Sequence, residues 1–563
     1  PLWNPYSFSG TPHLANYQTA AFYPLNLVFL LPFNTGWTIF IVLQPVLGFL
    51  FMYLYLRQLK LPKPACILGS VSFAFSLYLT VWLEWGNIGH TFIWLPLLLF
   101  IIEKLVDKFN LKWLLIFSFA YSFCILAGYM QQVIYISILF FFYYIYRNRS
   151  QKFFYKKILV FSSFIFLSYL ITAVQLLPAI ELFRQSARSI YGGEVLRQLL
   201  APWYYLVTIL VPDFFGNPAY RNYFIEGTYI ERVLYIGVVP LFFVLYTTRK
   251  SPIVRFFIAT VILAVILGIY NPISQIIYGL KIPVIGTTYP TRIFSLIAFS
   301  FSVMSAYGFS VFLDAKTKFN KKILMIPLLI ISLWLTVFLL NTTEYFGKNI
   351  TVVFKNLFLS SFIVMLTTGL IIFAQRYIKF KRIIILVLII LSLFDLYIFF
   401  SRLTPFSSGD FIYPKTEIIE NLKQLNTGYS RFWSYGTAFI ESNLSTYEQL
   451  FSTDGYDPLF IKRYGEFIAT SGDGKLKTNI PRSDVLLFRG FGKDDLRNNK
   501  YRKRAMDLTS IKYILHKNES GNGEHDSTFP SEKYNLTGQK GIWQIYENKN
   551  AVPRVSATDD FIV

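Results

Sequence analysis

The sequence is poor in charge and in cysteine. Charged residues make up 15% of its 563 residues, whereas soluble domains carry about 25%. Its two cysteines, Cys66 and Cys124, both fall inside apolar runs, so no disulfide framework is available. The chain also lacks a Walker A loop, a GxGxxG turn, an HExxH helix and a cysteine cluster. The nucleotide and zinc sites that depend on those motifs are therefore excluded.

What remains is apolar: 54% of the residues are hydrophobic. Apolar runs of nearly 20 residues recur through the first 400 positions, and about 20 such residues span a bilayer as a helix. The sequence thus predicts an α-helical polytopic membrane protein with about twelve spans, split at Tyr129 into two short helices. The predicted spans are 36–56, 65–83, 90–106, 112–128, 130–146, 157–178, 229–247, 254–270, 291–313, 323–341, 351–374 and 383–400.

Basic residues lie in every second loop between these spans. By the positive-inside rule the basic loops are cytoplasmic. The formal charge of +22 is then mainly a topology signal, and its partner is an anionic lipid surface, not nucleic acid. The basic clusters begin at Arg57, Lys104, Arg147, Arg249, Lys316 and Arg376.

This alternation predicts three regions. Residues 1–35 are the end of a first extracytoplasmic loop, and residues 36–400 form the transmembrane domain, with an outer loop at 179–228. Residues 401–563 are more charged and turn-rich, and they contain strand-like pieces such as "RFWSYG", "SIKYILHK" and "GIWQIYENKN". We expect them to form an α+β domain on the extracytoplasmic side.

Charged side chains at the outer ends of spans are the candidates for chemistry, because charge at membrane depth is expensive. Glu84 and His90 flank one short outer turn. They indicate either a metal or general-base site or an ordinary interfacial turn with aromatic residues. Glu181 and Arg184 share a helix face with Arg188 nearby, as a surface ion pair or as the lining of a cleft.

Further candidates lie in the outer loop and at span starts. Asp213 follows Pro212, and Glu231 precedes a span. Tyr289 and Arg292 begin another span, and Arg292 has no acidic neighbour nearby in sequence. Such an arginine can hold a phosphate through two N–H groups, or it can extend to lipid headgroups.

Several segments, in order along the chain, resemble the bacterial YfhO-like membrane proteins. They are "PLWNPYSFSGTPHLANYQTAAFYPLN", "VSFAFSLYL", "TFIWLPLLLFIIEKL", "QLLPAIELFRQSAR", "YIGVVPLFF", "YPTR", "DGYDPLFIKRYGEF", "SIKYIL" and "YENKNAVPR". Such proteins are similar to GT-C glycosyltransferases. The resemblance implies inverting sugar transfer from a polyprenyl-phosphate donor to an envelope polymer, of the teichoic-acid kind, or to a lipid acceptor.

The same resemblance implies that the chain is an N-terminally truncated fragment, because an acidic residue expected in the first outer loop would precede Pro1. It implies a bacterial cell-membrane location. Glu84, Glu181 and Asp213 are then the candidate catalytic acids. His13, His90, Arg188, Glu231, Tyr289 and Arg292 are the candidate substrate contacts. Glu84 and His90 are candidate ligands for Mg²⁺ or Mn²⁺.

Two non-enzymatic interpretations remain open from the sequence. A transporter or flippase for lipid-linked polymers would place charged groups along the spans, which are almost bare of them. A scaffold for envelope assembly would lack an outer cleft beside Arg292.

Overall fold

The computed structural model describes residues 2–188, 193–247, 251–314, 321–341, 346–404, 406–413, 415–426, 428–477, 479–487, 496, 498–519 and 528–557. The basic residues Arg249, Lys250, Lys316 and Lys318, which we used for orientation, lie outside these ranges. The chain divides into two compact units. The helical unit comprises residues 20–173 and 190–406, and the mixed unit comprises residues 1–19, 174–189 and 407–563.

The helical unit contains the apolar segments of the sequence. Its helices are α1 (Phe33–Gln58), α2 (Lys63–Ala74), α3 (Leu77–Val81), α4 (Asn87–Phe92), α5 (Trp94–Asp107), α6 (Leu111–Leu126), α7 (Met130–Asn148), α8 (Phe154–Gln185, which ends in the mixed unit), α9 (Gly193–Leu199), α10 (Val238–Tyr246), α11 (Pro252–Gly268), α12 (Pro272–Gly279), α13 (Phe294–Leu313), α14 (Met325–Asn341), α15 (Ile350–Arg376) and α16 (Lys381–Leu403).

The prediction of a multi-pass helical membrane protein is confirmed. Within the described ranges, eight helical segments are long and apolar enough to cross a bilayer, and α6 and α11 are shorter apolar helices. Eleven of the twelve predicted spans coincide with helices over most of their length. The predicted break near Tyr129 is present, because α6 ends at Leu126 and Gly128 has a φ of +93°, which favours glycine and ends a helix.

One predicted span differs from the structure. The sequence predicted a helix over 229–247, but helix α10 covers only Val238–Tyr246. Residues 233–237 are buried but form no regular secondary structure, and Gly237 has a φ of +97°. The hydropathy pattern cannot detect this, because a buried irregular segment can be as apolar as a buried helix.

Helix α13 lies in the middle of the helical unit and packs against α2, α10 and α11. A glycine allows the closest of these approaches. A Cβ built on Gly308 would lie 1.7 Å from the backbone oxygen of Phe243 in α10. Small residues at crossings let membrane helices approach closely.

The mixed unit contains a four-stranded sheet in the order β3–β6–β8–β7. Strand β3 (Arg431–Ser434) is parallel to β6 (Ile511–Lys517), and the pairs of β6 with β8 (Trp543–Asn548) and of β7 (Tyr534–Lys540) with β8 are antiparallel. These strands include the three predicted strand pieces. The remaining strands pair as two short ribbons, β1 (Trp3–Asn4) with β2 (Thr11–Pro12) and β4 (Gly455–Tyr456) with β5 (Asp484–Val485).

Within the described ranges, four helices accompany the sheet: α17 (Glu417–Leu425), α18 (Leu444–Glu448), α19 (Lys462–Asp473) and α20 (Lys500–Leu508). Phe8, from the opening segment, is buried in the same core as Trp433 and Phe460, and its ring stacks on Phe460 at 5.9 Å. The opening segment up to residue 19 therefore folds with the C-terminal residues. Its predicted place in an extracytoplasmic loop stays a prediction.

Candidate functional site

The outer-loop residue Asp213 lies at the wall of a cavity of about 750 Å³ within the helical unit. The local sequence explains the turn that presents it. Gly216 has a φ of +86°, and a Cβ there would lie 2.1 Å from the backbone oxygen of Asn222, so only glycine fits. The amide of Gly216 donates to the Asp213 carbonyl at 2.8 Å, which closes the turn.

The Asp213 carboxylate is buried and has defined partners. Its Oδ1 accepts hydrogen bonds from the hydroxyl of Tyr229 at 2.7 Å and from the amide of Asn217 at 3.0 Å. Its Oδ2 lies 3.6 Å from Nη1 of Arg402. Burial raises the pKa of Asp213 above its usual range, although the two hydrogen bonds and Arg402 oppose this shift. A carboxylate with a raised pKa is a better proton acceptor.

Two cations line the same cavity as this carboxylate. Arg402 comes from the end of α16, and Lys355 comes from the second turn of α15. The ring of Tyr220 lies between them, 5.4 Å from the guanidinium carbon of Arg402 and 5.9 Å from Nζ of Lys355. One cavity thus combines a proton acceptor with two groups that attract an anion.

The opposite wall of the cavity is one face of α15. Thr351, Lys355, Phe358, Leu359 and Phe362 all line it, at a spacing that places them on the same side of a helix. Phe358 is 68% exposed and Phe362 is 59% exposed. Next to Lys355, the amide of Asn356 donates to the backbone oxygen of Asp213 at 2.5 Å, so α15 also fixes the loop that carries the carboxylate.

A second polar cluster joins three of the predicted substrate contacts. Arg292 binds Glu231 through both sides of its guanidinium, with Nε to Oε2 at 2.7 Å and a second bond from Nη2 to Oε1. Its Nη1 lies 3.5 Å from Oε1 of Gln131. Arg292 and Glu231 are both buried. A phosphate that approached the two-pronged face of Arg292 would have to displace Glu231.

Aromatic rings surround this ion pair. The guanidinium carbon of Arg292 lies 5.1 Å from the ring centres of Trp82 and Tyr129 and 5.4 Å from that of Tyr289. Ring faces attract cations, with energies of about 0.5 to 2 kcal/mol each. The cluster of Arg292, Glu231, Trp82, Tyr129 and Tyr289, which we call the arginine cluster, is therefore built to hold a buried positive charge.

The predicted metal ligands Glu84 and His90 do not fit a divalent cation. His90 is completely buried. Its Nε2 donates to the Phe40 carbonyl at 2.9 Å, and its Nδ1 accepts from the hydroxyl of Tyr23 at 3.2 Å. Both ring nitrogens are thus occupied, and a metal needs a free lone pair on one of them.

Glu84 is exposed in the turn between α3 and α4. Partial burial raises the pKa of its carboxyl above the usual range. The described ranges contain no group of three or more His, Cys, Asp and Glu side chains that could hold a metal ion. The Mg²⁺ or Mn²⁺ cofactor therefore stays a prediction for which the described residues supply no ligand set.

The other predicted residues lie in the mixed unit. Glu181 is exposed near the end of α8, and Arg188 is half-buried close enough to Asp457 to favour that carboxylate's charged form. Burial lowers the pKa of His13 below its usual range. The structure thus brings Glu231, Tyr289 and Arg292 together, and it places Glu181, Arg188 and His13 in a different unit from Asp213.

Sequence reasoning missed Arg402 and Lys355. Lys355 is a cation inside the predicted span 351–374, and the rule that charges within spans are functional candidates would have found it. Arg402 follows the last predicted span and has no acidic residue beside it, so nothing in the local sequence indicates its partner.

These observations define the class of protein: a multi-pass helical membrane protein with a polar cleft lined on one side by an exposed apolar helix face. The family model described as bacterial membrane protein YfhO matches residues 9–421. The chain belongs to this family. A search of curated proteins finds no match.

Two solved structures are similar to the chain at low identity. The crystal structure of ArnT from Cupriavidus metallidurans bound to undecaprenyl phosphate is 9% identical, with a TM-score of 0.45 over 96% of this chain and 90% of that chain. The Archaeoglobus fulgidus oligosaccharyltransferase tethered to an acceptor peptide is 10% identical, with a TM-score of 0.36 over 92% of this chain and 63% of that chain.

Proposed function

We propose that this protein is a membrane glycosyltransferase that takes a sugar from a polyprenyl-phosphate-linked donor and passes it, with inversion, to an envelope glycopolymer or a lipid acceptor. The observation that carries the proposal is the cleft itself. It holds a buried carboxylate, two cations and an exposed apolar helix face within about 750 Å³.

Each part of the cleft matches one demand of the reaction. The acceptor hydroxyl attacks the anomeric carbon while the bond from that carbon to the phosphate oxygen breaks. Asp213 takes the hydroxyl proton, and the electron pair of the broken bond stays on the phosphate. Lys355 and Arg402 stabilise the charge that develops there. The apolar face of α15 suits a polyprenyl chain.

The test uses the full chain in nanodiscs, supplied with a panel of radiolabelled polyprenyl-phosphate hexoses. We expect Asp213→Asn to reduce transfer by about 10²-fold or more, the usual contribution of a general base. Asp107→Asn, at the exposed end of α5, is the matched control and should retain transfer. Undiminished transfer by Asp213→Asn would remove this carboxylate from the mechanism.

Binding of the donor's phosphate is tested separately, with unglycosylated polyprenyl phosphate and native mass spectrometry. We expect Lys355→Gln and Arg402→Gln each to weaken binding about tenfold, since a hydrogen bond to a charged group contributes about 1.5 kcal/mol or more. Arg376→Gln, at the other end of the helix that carries Lys355, is the control. Binding of polyprenyl phosphate without transfer of any sugar would contradict the proposed enzymatic activity and favour a carrier of lipid-linked polymers.

We also propose that residues 401–563 lie on the extracytoplasmic side, supported by the alternation of basic loops. Both native cysteines are buried, so an introduced cysteine can be labelled over a low background. A membrane-impermeant maleimide applied to intact cells should modify Ser531→Cys, on the exposed surface of the mixed unit, and should spare Lys108→Cys in a basic loop. Labelling of Lys108→Cys but not of Ser531→Cys would contradict this topology and indicate the opposite orientation.

A further inference from the structure

One short segment of the helical unit touches both polar sites. We call residues 228–237 the linking segment. It begins with a single 3-10 turn, Tyr229–Glu231, and continues without regular secondary structure to Gly237. Tyr229 donates its hydroxyl to Asp213 in the cleft, and Glu231, two residues later, binds Arg292 in the arginine cluster. The position of this segment therefore sets both sites at once.

The linking segment has no helix of its own to satisfy its backbone, so other elements do so. The carbonyl of Tyr235 accepts from the amide of Leu77 at 2.9 Å, and the carbonyl of Ile236 accepts from the hydroxyl of Ser72 at 3.1 Å. Irregular backbone within a membrane protein is tolerated only when neighbouring protein or water supplies such partners.

The C-terminal end of the segment is held by Asp395 of α16. Its Oδ2 accepts from the amide of Val238, the first residue of α10, at 2.7 Å. The hydroxyl of Tyr235 donates to both carboxylate oxygens, at 2.6 and 2.7 Å. The carboxylate thus lies at the N-terminus of α10, where the helix dipole favours negative charge.

Asp395 is completely buried, and within the described ranges no Lys, Arg or His forms an ion pair with it. A carboxylate without a cation is costly to bury unless hydrogen bonds compensate it, and its hydrogen-bond donors, Tyr235 and Val238, lie on the linking segment or directly after it. Gly237, between these two donors, has a φ of +97°, a backbone conformation that favours glycine. An apolar residue would fill the same space at lower cost, so the carboxylate indicates a role for these bonds.

We infer that Asp395 is a positioning residue, which fixes the linking segment and thereby holds Tyr229 against Asp213 and Glu231 against Arg292. The activity part of this inference rests on the proposed function. The positioning part does not, because it concerns the geometry of the segment alone.

The test is Asp395→Asn in the full chain in nanodiscs. A carboxamide keeps one acceptor oxygen for the Val238 amide and turns an NH₂ group to the Tyr235 hydroxyl, so the bonds made by the charged carboxylate are replaced by weaker neutral ones. We expect amide exchange in residues 228–240 to become about tenfold faster or more, as measured by hydrogen exchange with mass spectrometry. We also expect kcat for sugar transfer to fall about tenfold while KM changes less than twofold, because small misplacements of catalytic groups slow the reacting step.

Ser392→Ala is the matched control, since Ser392 is buried one turn earlier on the same helix; it should change neither readout. Tyr235→Phe removes only the hydroxyl and provides a milder variant should Asp395→Asn fail to fold. We expect it to speed exchange in the same residues by a smaller factor.

Three outcomes would overturn the inference. Exchange that accelerates throughout the helical unit would make Asp395 an ordinary stabilising residue. Lost transfer with unchanged exchange in 228–240 would mean that the carboxylate acts by another route. Faster amide exchange in 228–240 with full sugar transfer would show that the position of the linking segment does not affect the two sites. Should the native chain transfer no sugar at all, the proposed function fails, and the exchange measurement alone decides the positioning role.

Discussion

The arginine cluster predicts an unequal response to neutralising its two charges. Removing one partner of a buried ion pair costs about 3 to 5 kcal/mol, because the other charge is left without compensation. In Glu231→Gln, the charge that remains is Arg292, and three aromatic rings still face it at 5.1 to 5.4 Å. In Arg292→Gln, the charge that remains is a carboxylate, which ring faces do not attract.

The magnitudes follow from these contacts. We expect Glu231→Gln to lower the free energy of unfolding by about 3 kcal/mol, the lower end of the range for buried pairs. Arg292→Gln should lower it by about 5 kcal/mol, because it also loses the cation–ring contacts, each worth about 0.5 kcal/mol or more. The double variant should cost less than the sum of the two, since neither charge then remains unpaired.

Denaturant titration of the full chain in detergent micelles, for the single and double variants, measures these differences. Glu466→Gln is the control, because its partner Lys462 lies 3.5 Å away in an exposed pair one helical turn apart, and such pairs contribute about 0.5 kcal/mol or less. An equal loss for the two single variants, or a larger loss for Glu231→Gln, would refute the role assigned to the rings.

Two further predictions concern the cleft and the helix packing. Because Arg402 lowers the pKa of Asp213 while burial raises it, Arg402→Gln should move the acidic limb of the pH–rate profile of sugar transfer to higher pH; an unmoved limb would mean that another group sets it. The free energy of unfolding should also fall as pH rises from the ordinary pKa of Asp to the raised pKa of Asp213. The reason is that the folded chain keeps the Asp213 proton to a higher pH than the unfolded chain does. Denaturant midpoints of Asp213→Asn should not show this fall. Gly308→Ala should lower the free energy of unfolding by about 1 to 3 kcal/mol, because its Cβ overpacks against the Phe243 backbone. Gly369→Ala, whose Cβ meets nothing within 4 Å, should be neutral or stabilising in the same denaturant titration.

The helical architecture could be predicted from the sequence because membrane spans depend on a local property. Each predicted span needed only an apolar run of sufficient length, and all but the span predicted at 229–247 coincide with helices over most of their length. The break between α6 and α7 was also predictable, because Gly128 interrupts the run. Three strands of the mixed unit, β3, β6 and β8, could be placed from their aromatic and β-branched residues.

The sites could be predicted only in part, because their contacts join distant residues. Arg292 was identified as a candidate, but its partner Glu231 is 61 positions away, and no local pattern connects them. His90 was assigned to a metal because its burial and its two hydrogen bonds are invisible in the sequence. Lys355 was available to the same reasoning that selected Arg292, and it was overlooked within an apolar run.

The exposed face of α15 has a consequence for how this protein meets a ligand. Phe358 and Phe362 are exposed on the same side as Lys355, so a lipid could reach the cleft sideways, without leaving the bilayer. Its concentration would then be a surface density, in molecules per area of membrane, and diluting the sample with buffer would not change it. Occupancy of the cleft by such a ligand should depend on its mole fraction among the lipids, and diffusion in two dimensions would limit the rate of encounter.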